Sequence, residues 1–287
     1  SSQPFGNLGI TDNKGVDGSI EYNGTIGNVE FNLRGNLTYN KDEMIENDQP
    51  IPQYPWMDRR GHNILARFGY EAEGLFRDQA EIDASAVPGD KSLVLPGDIK
   101  YKDLNGDGLI NSYDQTYIGY GDVPSMVYGF GFGVGYKAFK FNVLFTGQQG
   151  ADIYLAGDAI QPFANGAGIS NVFANIDDRW TEANPRQDVF YPRLANGEDR
   201  NRNNTQSSSW WIRDADFIRL KTAELDYIVP QHLIKGVFKK AIVYIQAINP
   251  LTFSQFKYWD LESTVNVGNG TRYPNIKSYS LGVNLNF

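Results

Sequence analysis

The last nine residues, Tyr279 to Phe287, place a large apolar side chain at every odd position and Ser, Gly or Asn at every even one. A strict period of two has one simple reading, a β-strand with one greasy face and one small polar face. The same pattern recurs upstream. Ile20, Tyr22 and Ile26 lead to a tight turn at Gly27-Asn28. Val29, Phe31, Leu33, Gly35, Leu37 and Tyr39 then alternate with Glu30, Asn32, Arg34, Asn36 and Thr38. Tyr128, Phe130, Phe132, Val134 and Tyr136 alternate with glycines, and Phe139, Phe141, Val143 and Phe145 follow a short turn at Lys137-Ala138. Two more strands are expected over 217–229 and 241–249, joined by a turn around 230–240. These runs are about 9–13 residues long. A tilted transmembrane strand needs about 9–11, whereas strands of soluble domains average nearer 5–6.

The connections alternate between short and very long, with irregular stretches over about 40–124, 149–209 and 256–277. Short turns on one side and long loops on the other characterise outer-membrane barrels, and structureless loops of this size are unusual in a compact soluble domain. Helical periodicity is scarce; 171–180 reads as one short surface helix. Mean hydropathy is −0.44, and no run approaches the roughly 18 apolar residues of a membrane helix. Neither fact bears on a barrel, whose alternating faces cancel in any window average. A net charge of −8 argues against a nucleic-acid partner. With no Cys and only His62 and His232, thiol chemistry and Cys- or His-rich zinc sites are excluded. No nucleophile elbow, phosphate loop or zinc signature is present, so no enzyme is expected. The glycines from Gly129 to Gly135 lie inside a strand pattern with no following helix, and so form no dinucleotide fingerprint.

Strand parity puts all the short turns on one side if 40–124 is a single outer excursion, with 64–76 outside the membrane. The expected count is then seven spanning strands. Single-chain bacterial barrels start at eight, in even numbers, and seven would leave two bare edges in lipid. The chain begins at Ser1 with no signal-peptide pattern. The expected fold class is therefore all-β, residues 1–287 forming part of a transmembrane antiparallel β-barrel in the cell outer membrane, against lipid and the remainder of the barrel. A secreted, calcium-stabilised β-sandwich binding protein and a non-transporting membrane scaffold are the alternatives.

Further landmarks occur in a fixed order: Asn13-Lys14-Gly15-Val16; Phe68-Gly69-Tyr70 with Gly74-Leu75-Phe76; Pro96 to Asp103, running into Asn105-Gly106-Asp107-Gly108. Then come Asp177 with Arg179-Trp180-Thr181, Asn184-Pro185, Tyr191-Pro192-Arg193-Leu194, Trp211 to Ala215 with Ile218 to Lys221, Asn249 to Ser254, and the closing strand. This series resembles the SusC/RagA family of TonB-linked outer-membrane transporters of Bacteroidetes, over nearly the whole chain. The resemblance implies the C-terminal portion, about seven strands, of a 22-stranded barrel whose plug and TonB box lie elsewhere. It also implies import of oligosaccharides or peptides driven through TonB, and a SusD-like surface lipoprotein as partner. One departure is Ala247-Ile248-Asn249-Pro250, where relatives more often carry Gln-Asn-Leu; Pro250 lacks a ladder donor, and the strand is expected to leave the sheet there.

One motif carries explicit chemistry. Asp103, Asn105, Asp107, Asn111 and Asp114 occupy positions 1, 3, 5, 9 and 12 of a twelve-residue loop, with Gly108 at 6 and the Leu109 carbonyl at 7. That is the calcium-loop spacing, hard oxygens converging on one cation, although Asp at position 12 reaches less far than Glu. A structural calcium ion stiffening a long outer loop is the expectation; a solvated turn built from side-chain-to-backbone bonds is the alternative. Trp180, Tyr191, Trp210 and Trp211 are candidate contacts for a ligand or partner, or members of an interfacial aromatic girdle. Arg213 with Asp214 and Asp216 reads as an ion-pair group in the wall.

Overall fold

The computed structural model describes residues 6, 8–156, 160, 162, 172, 174–195, 202–234, 236, 238–263 and 273–287. Its strands are β1 (Ile10–Ile26), β2 (Val29–Glu46), β3 (Arg67–Tyr70), β4 (Ala72–Leu75), β5 (Ile99–Tyr101), β6 (Gln115–Gly119), β7 (Met126–Tyr136), β8 (Phe139–Gln149), β9 (Asp152–Tyr154), β10 (Ile212–Asp214), β11 (Phe217–Ile228), β12 (Lys240–Ser254) and β13 (Ser278–Asn286). Seven of them form one antiparallel sheet in the order β1-β2-β7-β8-β11-β12-β13. The sheet is open, with β1 and β13 at its edges, and it is a single layer rather than a sandwich. These are the seven strands expected from the alternation, and they make part of a transmembrane antiparallel barrel.

Register shows why the alternation demands this sheet. Tyr22, Leu33, Phe132, Val143, Ala223, Ala247 and Tyr279 lie along one ladder row. The next row towards the short turns holds Gly24, Phe31, Val134, Phe141, Leu225, Ile245 and Leu281. Cross-strand partners share a face, so the apolar sets of all seven strands merge into one continuous surface. That surface is open to its surroundings: Ile20, Tyr279 and Leu281 are more than 70% exposed. An uncovered greasy face of this extent is what a lipid-facing wall presents. From Val29 to Tyr39 is ten steps along β2, about 34 Å at the usual rise. Tilted by about 40°, this spans about 26 Å, matching the ~25 Å apolar band of outer-membrane barrels.

The opposite face is polar. Asn23, Asn32, Gly133, Asn142, Glu224, Gln246 and Ser280 share one of its rows. Thr38 bonds Asp17 across the strands at 2.8 Å, and Gln246 bonds Glu224 at 2.6 Å. On this face the glycines of β7 leave room that their neighbours occupy. A Cβ at Gly131 would stand 3.0 Å from the Arg34 Nε, and those of Gly129 and Gly133 would meet the Asn36 and Asn142 side-chain oxygens.

Two expectations are corrected. β12 does not leave the sheet at Asn249-Pro250 but pairs through to Ser254. The apolar positions of β11 change phase, Ile218 and Leu220 being even and Ala223, Leu225 and Tyr227 odd, so the ladder must absorb a shift there. It does so where Leu220 faces Leu251 and Thr222 faces Ile248, with Asn249 at φ 50°. A bulge tolerates a residue without an N–H, so Pro250 sits in it at no cost to pairing. Near 171–180, the described structure is a 3-10 turn over Ala174–Asp177, too short for a helix to be read from period; residues 171 and 173 lie outside the described set. The one α-helix described is α1 (Gln79–Ala84), capped by the Asp78 side chain accepting from the Glu81 N–H.

The hydrophobic core lies off the sheet. Segments from the regions expected to be irregular pack together beyond the end of the sheet away from the short turns, as an outer lobe. Small pairs β3–β6, β4–β5 and β9–β10 frame it. Its interior holds Tyr70, Leu75, Ile99, Tyr101, Leu155, Trp180, Phe190, Tyr191 and Trp211, and it reaches the sheet through Phe217 and Phe256. A satellite of Phe76, Ile82, Val87 and Val94 seats α1. Residues 64–76 lie within this lobe and add no strand to the seven-stranded sheet.

Candidate functional site

The loop from Asp103 to Asp114 organises itself around its acidic side chains. The two oxygens of Asp103 accept from the Gly106 N–H at 2.7 Å and the Gly108 N–H at 2.9 Å. Asn105 accepts from the Asp107 N–H, and Asp107 from the Leu109 N–H. Gly106 and Gly108 take φ of 73° and 82°, which a side chain would resist. Asn111 caps the turn Ser112–Asp114, and buried Asp114 answers with bonds from the Leu104 and Asn111 N–H groups. The Asn105 amide and the Leu109 N–H hold the Asp107 carboxyl below the usual carboxylate range. Each engaged carboxylate oxygen keeps a second lone pair, the kind of donor that a hard cation takes. Among the described residues, no three acidic or His side chains converge as a ready metal cluster. Any ion here would rely on Asn105, Asn111 and the Leu109 carbonyl as well. Trp56 donates to the Tyr113 carbonyl at 2.7 Å and stacks on Tyr54 at 4.6 Å, tying the loop to the segment after β2.

The aromatic candidates lie elsewhere in the lobe. Trp180, Tyr191 and Trp211 are at most 7% exposed, and half-buried Trp210 donates to the Phe190 carbonyl. In this arrangement they are packing residues. Trp211 donates to the Asn204 carbonyl at 2.8 Å, at the edge of a buried polar node. There the Arg193 guanidinium forks onto Asp98 at 2.9 and 3.0 Å, and the Asn204 amide adds a bond at 2.8 Å. Burial pushes the Asp98 carboxyl upward, while Arg193, the Leu95 N–H and Asn204 pull against it. Partners 95 and 106 residues along the chain thus converge on one carboxylate.

The wall ion group is not where the sequence placed it. Arg213 donates to the Trp210 and Ile212 carbonyls and lies over the Phe190 ring at 5.1 Å. Asp216 accepts from the Gly150 N–H, fastening the rim of β8. The ion group centres on Arg219, 2% exposed on the polar face of β11. It reaches Asp260 at 2.8 Å, Glu262 at 2.6 Å and the Thr252 hydroxyl at 3.0 Å, with Lys221 adding a bond to Glu262 at 3.1 Å. Parity along β11 puts Arg219 on the polar face and could have flagged it; its acidic partners, some forty residues on, leave no such trace. At the outer rim, a cavity of about 450 Å³ opens between β2 and the lobe, lined by Tyr39, Lys41, Asp42, His62, Tyr117 and Tyr120. His62 stacks on Tyr117 at 4.6 Å.

No family model matches the chain. It is 34% identical over 240 residues to TonB-dependent receptor P26 of Formosa agariphila, covering 79% of the chain and 23% of the receptor. It is 27% identical to TonB-dependent receptor P3 of the same organism, over the whole chain and 30% of that protein. The chain thus spans less than a third of the length of these relatives. Its fold matches a chain of the RagAB peptide transporter with a TM-score of 0.72 at 23% identity, over 97% of this chain and 29% of that one. A RagAB peptide importer in its closed-closed state gives 0.70 at 24%. These relatives are receptors and importers rather than enzymes. By sequence kinship and by fold, the chain belongs with the TonB-dependent receptors, as a seven-stranded section of barrel wall.

Proposed function

We propose that the chain forms wall and outer loops of an outer-membrane importer of the SusC/RagA type, which takes up oligosaccharides or peptides with energy delivered through TonB. The observation that supports this most directly is the segregation of the sheet into one lipid-compatible face and one polar face, beneath a packed outer lobe. In this reading the plug and TonB box belong to the longer protein, and a SusD-like surface lipoprotein meets the lobe. The test is uptake of labelled oligosaccharide and peptide pools by cells with and without the gene, each with and without a protonophore. Uptake of one class that needs both the gene and the proton-motive force is expected. Uptake unchanged by deletion, where the undeleted cells carry the protein in their outer membrane, would favour the scaffold.

We further propose that Asp103, Asn105, Asp107, Asn111, Asp114 and the Leu109 carbonyl hold a structural calcium ion. The support is the turn already drawn around those oxygens by Gly106 and Gly108. Chelator should raise proteolysis over 98–118, and Asp107→Ala should reproduce the effect without chelator. Equal protection in all cases would refute it.

A further inference from the structure

Among the paired residues of the seven strands, the lipid-facing rows carry no charge from the short turns to the row of Val16 and Tyr39. One row further out, on the same face, Lys14 and Lys41 stand directly opposite each other. Like charges facing across an antiparallel pair destabilise it, so this placement calls for a counter-charge. Lys14 contacts Asp12 on its own strand, two residues further out. Lys41 makes no ion pair among the described residues. Tyr39 beneath it is 42% exposed, at the height where barrels carry interfacial aromatics. The band measured on β2 ends at Tyr39, so the two ammonium groups emerge at headgroup level. Beside Lys41 the rim cavity supplies a recess, lined also by Tyr120 and Val123, each more than half exposed, and by Asp42, whose carboxylate is engaged by the Ile64 N–H.

We infer that Lys14 and Lys41, with Tyr39 and the recess beside it, form a docking site for an anionic, phosphate-bearing lipid headgroup. A phosphate between the two ammoniums relieves their repulsion, and the tyrosine rings and Val123 pack against the polar–apolar boundary of the lipid. Asp12 is ion-paired with Lys14, and Glu43 stands opposite Asp12 in the next row outward; neither pairs with Lys41 among the described residues, so the Lys41 ammonium is the charge left for the headgroup. The site rests on the reading of this sheet as a membrane wall.

The test uses the native polypeptide that carries this chain, extracted in detergent and mixed with equal phosphatidylglycerol and phosphatidylcholine; bound lipid is counted by native mass spectrometry. The wild type should retain phosphatidylglycerol in excess. Lys41→Gln should lower that excess about fivefold, the effect of roughly one basic residue at an anionic surface. Lys14→Gln/Lys41→Gln should lower it further, Lys41→Arg should keep it, and Lys257→Gln in the outer lobe should change nothing. A second readout has a sign of its own. In phosphatidylcholine bilayers Lys41→Gln should leave the unfolding midpoint unchanged or raise it, because repulsion is removed; with phosphatidylglycerol it should lower it. An undiminished excess in the double variant, or midpoints that move alike in both bilayers, would overturn the site. Loss of the excess to inorganic phosphate, where matched chloride has no effect, would assign a soluble anion instead and overturn it too. Retention of neither lipid would count against the membrane wall itself, a failure distinct from loss of selectivity.

Discussion

Replacing Arg219 by Met isolates what the buried ion group does. The side chain is 2% exposed and bridges Asp260 and Glu262, themselves 11% and 26% exposed, to the wall. Removing one member of a buried pair costs about 3–5 kcal/mol, because the partner's charge stays desolvated. Lys221 and Asn275 still bond Glu262, and Glu262 keeps some water. The expected cost is therefore at the low end, about 3 kcal/mol. It should fall on the attachment of residues 256–263 and not on the seven-stranded ladder. Hydrogen exchange in detergent reads this directly: amides over 256–263 should exchange about 100-fold faster, while those of β11 and β12 below the bulge keep their protection. The companion Arg219→Met/Asp260→Asn/Glu262→Gln removes the three most buried charges together, leaving Lys221, a third exposed, to water, and should recover most of the protection, since a buried pair replaced by neutral groups is close to neutral. If the triple variant exchanges as fast as the single one, the effect is lost packing and the electrostatic argument fails.

Gly97→Ala should destabilise the lobe by about 2–5 kcal/mol, from a left-handed backbone at φ 87° and a Cβ driven into the ring of buried Trp180; tryptophan fluorescence during denaturant unfolding measures it. Phe132→Arg, in the middle of the lipid-facing surface, should cost about 2–4 kcal/mol in bilayer folding titrations. Asn142→Asp, on the polar face, should cost little in the same assay. The Tyr117 phenol is pushed up to about 12, mainly by burial, and so is that of Tyr191. Between pH 10 and 12 the folded lobe then holds protons that the unfolded chain has released, so its stability falls as pH rises through that window. Absorbance titration at 295 nm with Tyr117→Phe as control checks this, and the signal lost in the variant should come from the part that titrates above the ordinary tyrosine range.

What was legible in the sequence was whatever repeats with the strand period. The seven strands, their shared apolar face and their short turns follow from alternation, because a slip of one residue would exchange the two faces. The change of phase between Leu220 and Ala223 was legible in the same terms, and it explains a bulge where Pro250 alone suggested an ending. The outer lobe was not legible. Its contacts join Asp98 to Arg193 and Arg219 to Glu262 across tens of residues, with no periodicity linking the partners. Trp180, Tyr191 and Trp211 illustrate the difficulty: an aromatic in a long loop looks available for binding until a core is found around it. The loop from Asp103 to Asp114 lies between these extremes, since its spacing is local and its side chains bond the backbone of the same turn.

The glycine-bearing face of β7 has one further consequence. Where a strand has no inward side chains, the local bore beside it is set by whatever its neighbours lay across it, here Arg34, Asn36 and Asn142. Backbone is stiff and side chains turn about single bonds within nanoseconds when exposed. If the wall encloses a passage, as proposed, its calibre along that strand is adjustable by rotamer, like a sleeve lined with movable bristles, while the hydrogen-bonded fabric behind it stays fixed.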